Sequence, residues 1–170
     1  MKVKDILLKG MELESSGVKF YTEAAEKTRN DTGKRIFLGL AKAEEHHYAI
    51  FREMSESSHP KVGLGLSDNK PLEDRIKSFR LFAKTPEKAV KDDMMGDLEV
   101  LKIGQDIEKK SIEYYTSLVG ASGSADFDSL LKDLAEVEKS HLAILKYEYD
   151  SIIGAGFWQD IPEIDVEKMM

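Results

Sequence analysis

The chain has 170 residues, of which 41% are hydrophobic and 34% charged, with no cysteine and a formal charge of −7. This length suits a single domain over residues 1–170 with one sizeable core, and the lack of cysteine excludes disulfides, thiolate zinc sites, iron–sulfur clusters and cysteine nucleophiles. With 32 acidic against 25 basic residues, nucleic acid is not an expected partner.

The first residues turn amphipathic at once, and no apolar run approaches the ~20 residues of a membrane helix, so the expected location is cytoplasmic, without a membrane partner. Helical periodicity predicts a first helix over about 4–28, stopped by Arg29-Asn30-Asp31-Thr32-Gly33. A second follows over about 34–56 and ends before His59-Pro60, because proline cannot continue the hydrogen-bond ladder. A polar segment over 61–70 and a short connecting helix from Pro71 come next, and Thr85-Pro86-Glu87 has the cap and N1-proline order of a third helix reaching about Val119. Gly120 to Ser124 breaks the chain, and a fourth helix over about 127–153 ends at Gly154-Ala155-Gly156. The expectation is an all-α four-helix bundle with a long crossover, about 57–90, between helices two and three, and a tail over 154–170 holding the only tryptophan, Trp158. That tail suits either a subunit contact or a cover on its own bundle.

The sequence repeats itself at an offset of 94. Leu7, Gly10, Glu14, Gly17, Tyr21 and Ala24 fall opposite Leu101, Gly104, Glu108, Ser111, Tyr115 and Leu118, in steps of three and four that make one stripe on each helix. The same offset lays Leu40, Ala41, Glu44 and His47 on Leu134, Ala135, Glu138 and His141. Glu44/His47 and Glu138/His141 each lie three apart, one above the other on a helix face. Glu14 and Glu108 stand among small and apolar residues on faces that should be buried.

Four ionised carboxylates cannot sit in a dry core without compensating positive charge. Two divalent cations balance them, and the two imidazoles add neutral nitrogen ligands. Such oxygen-rich sites suit iron or manganese, and zinc can also occupy them. With 18 glutamates and 4 histidines, chance yields roughly 0.4 Glu-x-x-His pairs, so one pair alone would mean little. A third pair, Glu56/His59, has no repeat partner and is assigned to chance. Tyr21 and Tyr115, two turns beyond Glu14 and Glu108, are the candidate catalytic residues, as core aromatics whose hydroxyls bond to ligand carboxylates. Phe20, Phe37, Phe51, Tyr114 and Leu145 are expected in the core, and His46 on the surface.

At these residues the chain resembles the ferritin-like di-iron carboxylate proteins, above all the di-iron domain of rubrerythrins and their stand-alone relatives. The resemblance lies in Glu14-Ser-Ser-Gly-Val-Lys-Phe-Tyr21, Ala43-Glu44-Glu-His-His47, Ile107 to Tyr115 and Glu138-Lys-Ser-His141. It implies two iron ions held by Glu14, Glu44, His47, Glu108, Glu138 and His141, with Glu44 and Glu138 bridging. The implied activity is an oxidoreductase that reduces hydrogen peroxide or dioxygen, with a role in oxidative stress. The alternatives are ferroxidase or iron-storage behaviour, and a structural zinc bundle. Many rubrerythrins carry a further glutamate where this chain has Ser111, and classical ones carry a four-cysteine rubredoxin domain that is absent here. The resemblance therefore implies an external electron donor, such as a rubredoxin-type protein, and a homo-oligomer, expected to be a dimer.

Overall fold

The computed structural model describes residues 3–56 and 95–159. Its four helices are α1 (Val3–Lys27), α2 (Asp31–Glu56), α3 (Met95–Leu118) and α4 (Ala125–Ala155), and among the described residues there is no strand. The polar segment, the connecting helix, the Thr85-Pro86 start, His59 and residues 160–170 of the tail lie outside the described residues.

Helix ends follow local hydrogen-bond chemistry. The α2 helix begins at Asp31 and not at Lys34, because the Asn30 side-chain oxygen accepts the Gly33 backbone N–H at 3.0 Å and caps the first turn. Likewise α4 starts at Ala125 and not at Phe127, since Ser124 has extended backbone and accepts the Phe127 N–H at 3.4 Å. At its other end α4 runs through Gly154 and stops at Gly156, whose φ of 76° places it in the left-handed region while its N–H bonds Ile152 at 3.0 Å. The turn before α4 is tied by Asp128, which accepts the Gly120 N–H at 2.9 Å.

Short connections pair α1 with α2 and α3 with α4, giving two helical hairpins. All twelve positions of the α1 and α3 stripes, from Leu7 to Ala24 and from Leu101 to Leu118, are buried. The core has two apolar parts. One gathers Ile6, Leu7, Phe51, Tyr115, Leu130 and Leu134, and the other Tyr21, Phe37, Leu40, Leu101, Leu145 and Trp158. On every helix the acidic and histidine positions fall between these two parts in sequence, so a polar layer crosses the middle of the bundle. Phe20 and Tyr114, expected in the core, are half-buried at its edge, while Phe37, Phe51 and Leu145 are fully buried.

The tail folds onto its own bundle as far as Gln159. Trp158 packs edge-on to Phe37 at 5.5 Å, and its indole N–H donates to Asp97 at the start of α3 at 3.0 Å. A β-carbon at Gly33 would come within 2.7 Å of the ring, so the first turn of α2 has to be bare to receive it.

Candidate metal centre

Each polar side chain reaches the centre because it replaces an apolar residue on a stripe that already faces inward. Glu14 lies between Leu7 and Tyr21, Glu108 between Leu101 and Tyr115, Glu44 and His47 between Ala41 and Phe51, and Glu138 and His141 between Ala135 and Leu145. All six are buried, with Glu108, His47, Glu138 and His141 wholly inaccessible.

The six form two overlapping groups. Glu14, Glu44, His47 and Glu138 offer ligand atoms within 4.8 Å of one another, as do Glu44, Glu108, Glu138 and His141. Glu44 and Glu138 belong to both groups. Nδ1 of His47 lies 3.4 Å from Glu14 Oε2, 3.5 Å from Glu44 Oε2 and 3.3 Å from Glu138 Oε1. Nδ1 of His141 lies 2.9 Å from Glu138 Oε2, 3.6 Å from Glu44 Oε1 and 3.9 Å from Glu108 Oε2. The two imidazoles stack at 5.8 Å with an interplanar angle of 19°. Tyr21 donates its hydroxyl hydrogen to Glu108, and Tyr115 donates to Glu14.

Protons balance this cluster when no cation does. Burial lifts the Glu14 and Glu108 carboxyls well above the usual range, aided by repulsion from Glu44 and Glu138 respectively. At Glu44 burial works the same way but is overcome by hydrogen bonding with Glu14 and by the His141 and His47 rings close beside it, so this carboxyl titrates below the usual range. Glu138 is also lowered, burial and Glu44 being outweighed by the charge of His47 and the hydrogen bond with His141. Both histidines are raised despite burial, His47 by the Glu138 charge and His141, to about 9, by its hydrogen bond with Glu138 and the nearby Glu44 carboxylate. Protonated outer acids and imidazoliums around two ionised shared carboxylates make a neutral core.

The donor set fits a pair of divalent cations. Two such ions would cancel four carboxylates without any proton, and each group supplies three carboxylates and one imidazole. The hydrogen-bond pattern agrees, because several buried atoms have no hydrogen-bond partner among the described residues. These are both ring nitrogens of His47, Nε2 of His141, Oε2 of Glu108 and Oε1 of Glu138. A buried polar atom left this way is costly unless something else binds it.

All six candidate ligands therefore come together, and both tyrosines touch carboxylates. His46 is exposed, as expected. Two buried acids were not anticipated. Asp97 receives the Trp158 indole, and Glu148 is fully buried with Oε2 accepting the Gln159 N–H at 2.9 Å. Glu148 lies seven residues after His141 on the same stripe, a spacing that could have marked it.

A family model described as Rubrerythrin matches residues 5–149. Among solved structures, a ferritin-like diiron-carboxylate protein from Thermotoga maritima matches with a TM-score of 0.60 and 30% identity, covering 88% of this chain and 95% of that one. No curated protein matches. The all-α four-helix bundle is thus of the ferritin-like kind. No helix among the described residues is long and apolar enough to cross a membrane.

Proposed function

The chain belongs to the rubrerythrin family, and we propose that it is a di-iron oxidoreductase reducing hydrogen peroxide or dioxygen with electrons from an external donor. The observation that carries this reading is the overlap of the two ligand groups at Glu44 and Glu138, which suits carboxylates serving two ions at once. Glu14 and His47 would complete one ion's ligands, and Glu108 and His141 the other's. A pair of ferrous ions supplies two electrons in one encounter and acts as a Lewis acid toward oxygen. The chain's own part is to hold and insulate. The apolar residues on either side of the polar layer keep bulk water away, and Tyr21 and Tyr115 hold a proton against the outer carboxylates.

Because these 170 residues hold no cysteine, we assign the electrons to a donor of rubredoxin type. We place the activity in the cytoplasm, in a homodimer of chains each folded as one domain over 1–170, with the segment of about 57–90 as crossover. Iron handling is the second reading, and one observation favours it: Ser111 offers no seventh carboxylate, its hydroxyl donating to Ile107 O of its own helix at 3.3 Å. The test is to load the metal-free protein anaerobically with Fe(II) and add peroxide or air together with a reductant. Sustained turnover supports the oxidoreductase. Oxidation of the bound iron without turnover, in a large shell by light scattering, supports storage.

A further inference from the structure

Gly17 lies one turn beyond Glu14 on the buried stripe of α1. An interior helix glycine is destabilising relative to alanine, so its presence needs a reason. The backbone does not supply one, since the positive-φ glycines among the described residues are Gly120, Gly123 and Gly156. Space does. A β-carbon at position 17 would stand 3.1 Å from Cγ, 3.2 Å from Cδ and 3.5 Å from Oε1 of Glu44. Carbon atoms in contact rest at about 3.5–4.0 Å, so Glu44 would have to move by a few tenths of an ångström.

Glu44 is poorly placed to give way. Its Oε2 faces His47 Nδ1 at 3.5 Å and its Oε1 faces His141 Nδ1 at 3.6 Å, and both rings are completely buried. This carboxylate is also one of the two shared by both ligand groups. Metal–ligand distances tolerate displacements of only about 0.2 Å, so a push of that size acts on both groups together. Other buried helix glycines serve different neighbours. Gly10 makes room for the Phe51 ring, and Gly104 for Leu145 and Tyr21. The repeat partner of Gly17 is Ser111, which is buried yet carries a β-carbon, so the two halves of the centre are not equivalent here.

We infer that Gly17 is a positioning residue, keeping one flank of Glu44 bare so that this carboxylate can reach both metals. This role rests on the metal-centre reading above. The test is equilibrium dialysis of metal-free protein against Fe(II) without oxygen, comparing wild type, Gly17→Ala and Gly154→Ala. The control position, also helical, has nothing within 4 Å of an added β-carbon. Gly17→Ala should fold without metal, with near-ultraviolet circular dichroism like wild type, and hold two irons with affinity lowered about tenfold to a hundredfold, the usual cost of disturbing what supports a ligand. Gly154→Ala should bind as wild type does. Wild-type affinity in Gly17→Ala would overturn the inference, and so would its failure to fold without metal, since the glycine would then serve helix packing. Wild-type protein that takes up less than one iron per chain would remove the metal-centre reading itself, and the role of Gly17 with it.

Discussion

Tyr21 of the first hairpin donates its buried hydroxyl hydrogen to Glu108 of the second. Tyr115 makes the repeat-related bond in the opposite direction, to Glu14. Each tyrosine shares a stripe with one outer carboxylate and bonds the other, so the two hairpins are tied across the polar layer by a reciprocal pair.

Removing one hydroxyl should therefore weaken both the fold and the metal centre. Tyr21→Phe leaves the ring in place and deprives Glu108 of its donor, a loss of about 1–3 kcal/mol for a buried group. Metal affinity should fall about tenfold to a hundredfold. Tyr115→Phe should act alike through Glu14. Urea unfolding of the metal-free variants and Fe(II) dialysis check both numbers, and a variant that matches wild type in both would deny the tyrosines this supporting part.

Metal uptake should release protons. Glu14, Glu108, His47 and His141 all have raised pKa values in the metal-free cluster, so protons occupy it where cations would. Binding two divalent ions near neutral pH should displace up to about four protons, and affinity should weaken as pH falls. Calorimetry in buffers of different ionisation enthalpy counts them. Uptake with no proton release would contradict the described electrostatics.

The stability of the metal-free protein should depend on pH with a definite sign. His141 is raised from 6.5 to about 9, so it stabilises the fold fully below pH 6.5, and this contribution is lost as pH rises through about 9. His47 is raised too and acts in the same direction. The thermal midpoint of metal-free protein should fall across that window, while metal-loaded protein, whose cations replace the protons, should change less. Equal pH profiles for the two forms would count against the idea.

Trp158 should contribute to stability and not to metal binding. Its ring fills the notch at Gly33 and its N–H satisfies Asp97. Trp158→Ala should cost about 3–5 kcal/mol in urea unfolding, as other large buried aromatics do, with metal content unchanged. A cost under about 1 kcal/mol would show that the tail is not an integral part of the core.

Much of this was legible because a helix stripe is a one-dimensional signal. The offset of 94 placed Glu14 with Glu108 and Glu44/His47 with Glu138/His141, and burial of the stripes follows from their apolar neighbours. What the stripes could not show is pairing between helices. Which carboxylate each tyrosine bonds, and how closely Gly17 approaches Glu44, depend on how hairpins pack, which no spacing along one chain encodes. The helix starts at Asp31 and Ala125 lie three and two residues before the expected ones because the caps, Asn30 and Ser124, sit in turn-rich runs where several residues could serve. The repeat does not mark Glu148, because its partner at the offset of 94 is the apolar Met54.

The central claim, that two ions share Glu44 and Glu138 within six buried ligands, is tested most directly by counting metal per chain after anaerobic Fe(II) loading. The wild-type protein should hold two irons, and His46→Ala, an exposed neighbour of the site, should hold the same number. Glu44→Gln, which removes one shared carboxylate at nearly constant volume, should hold at most one. A wild-type content below one iron per chain, or two irons retained in Glu44→Gln, would contradict the account.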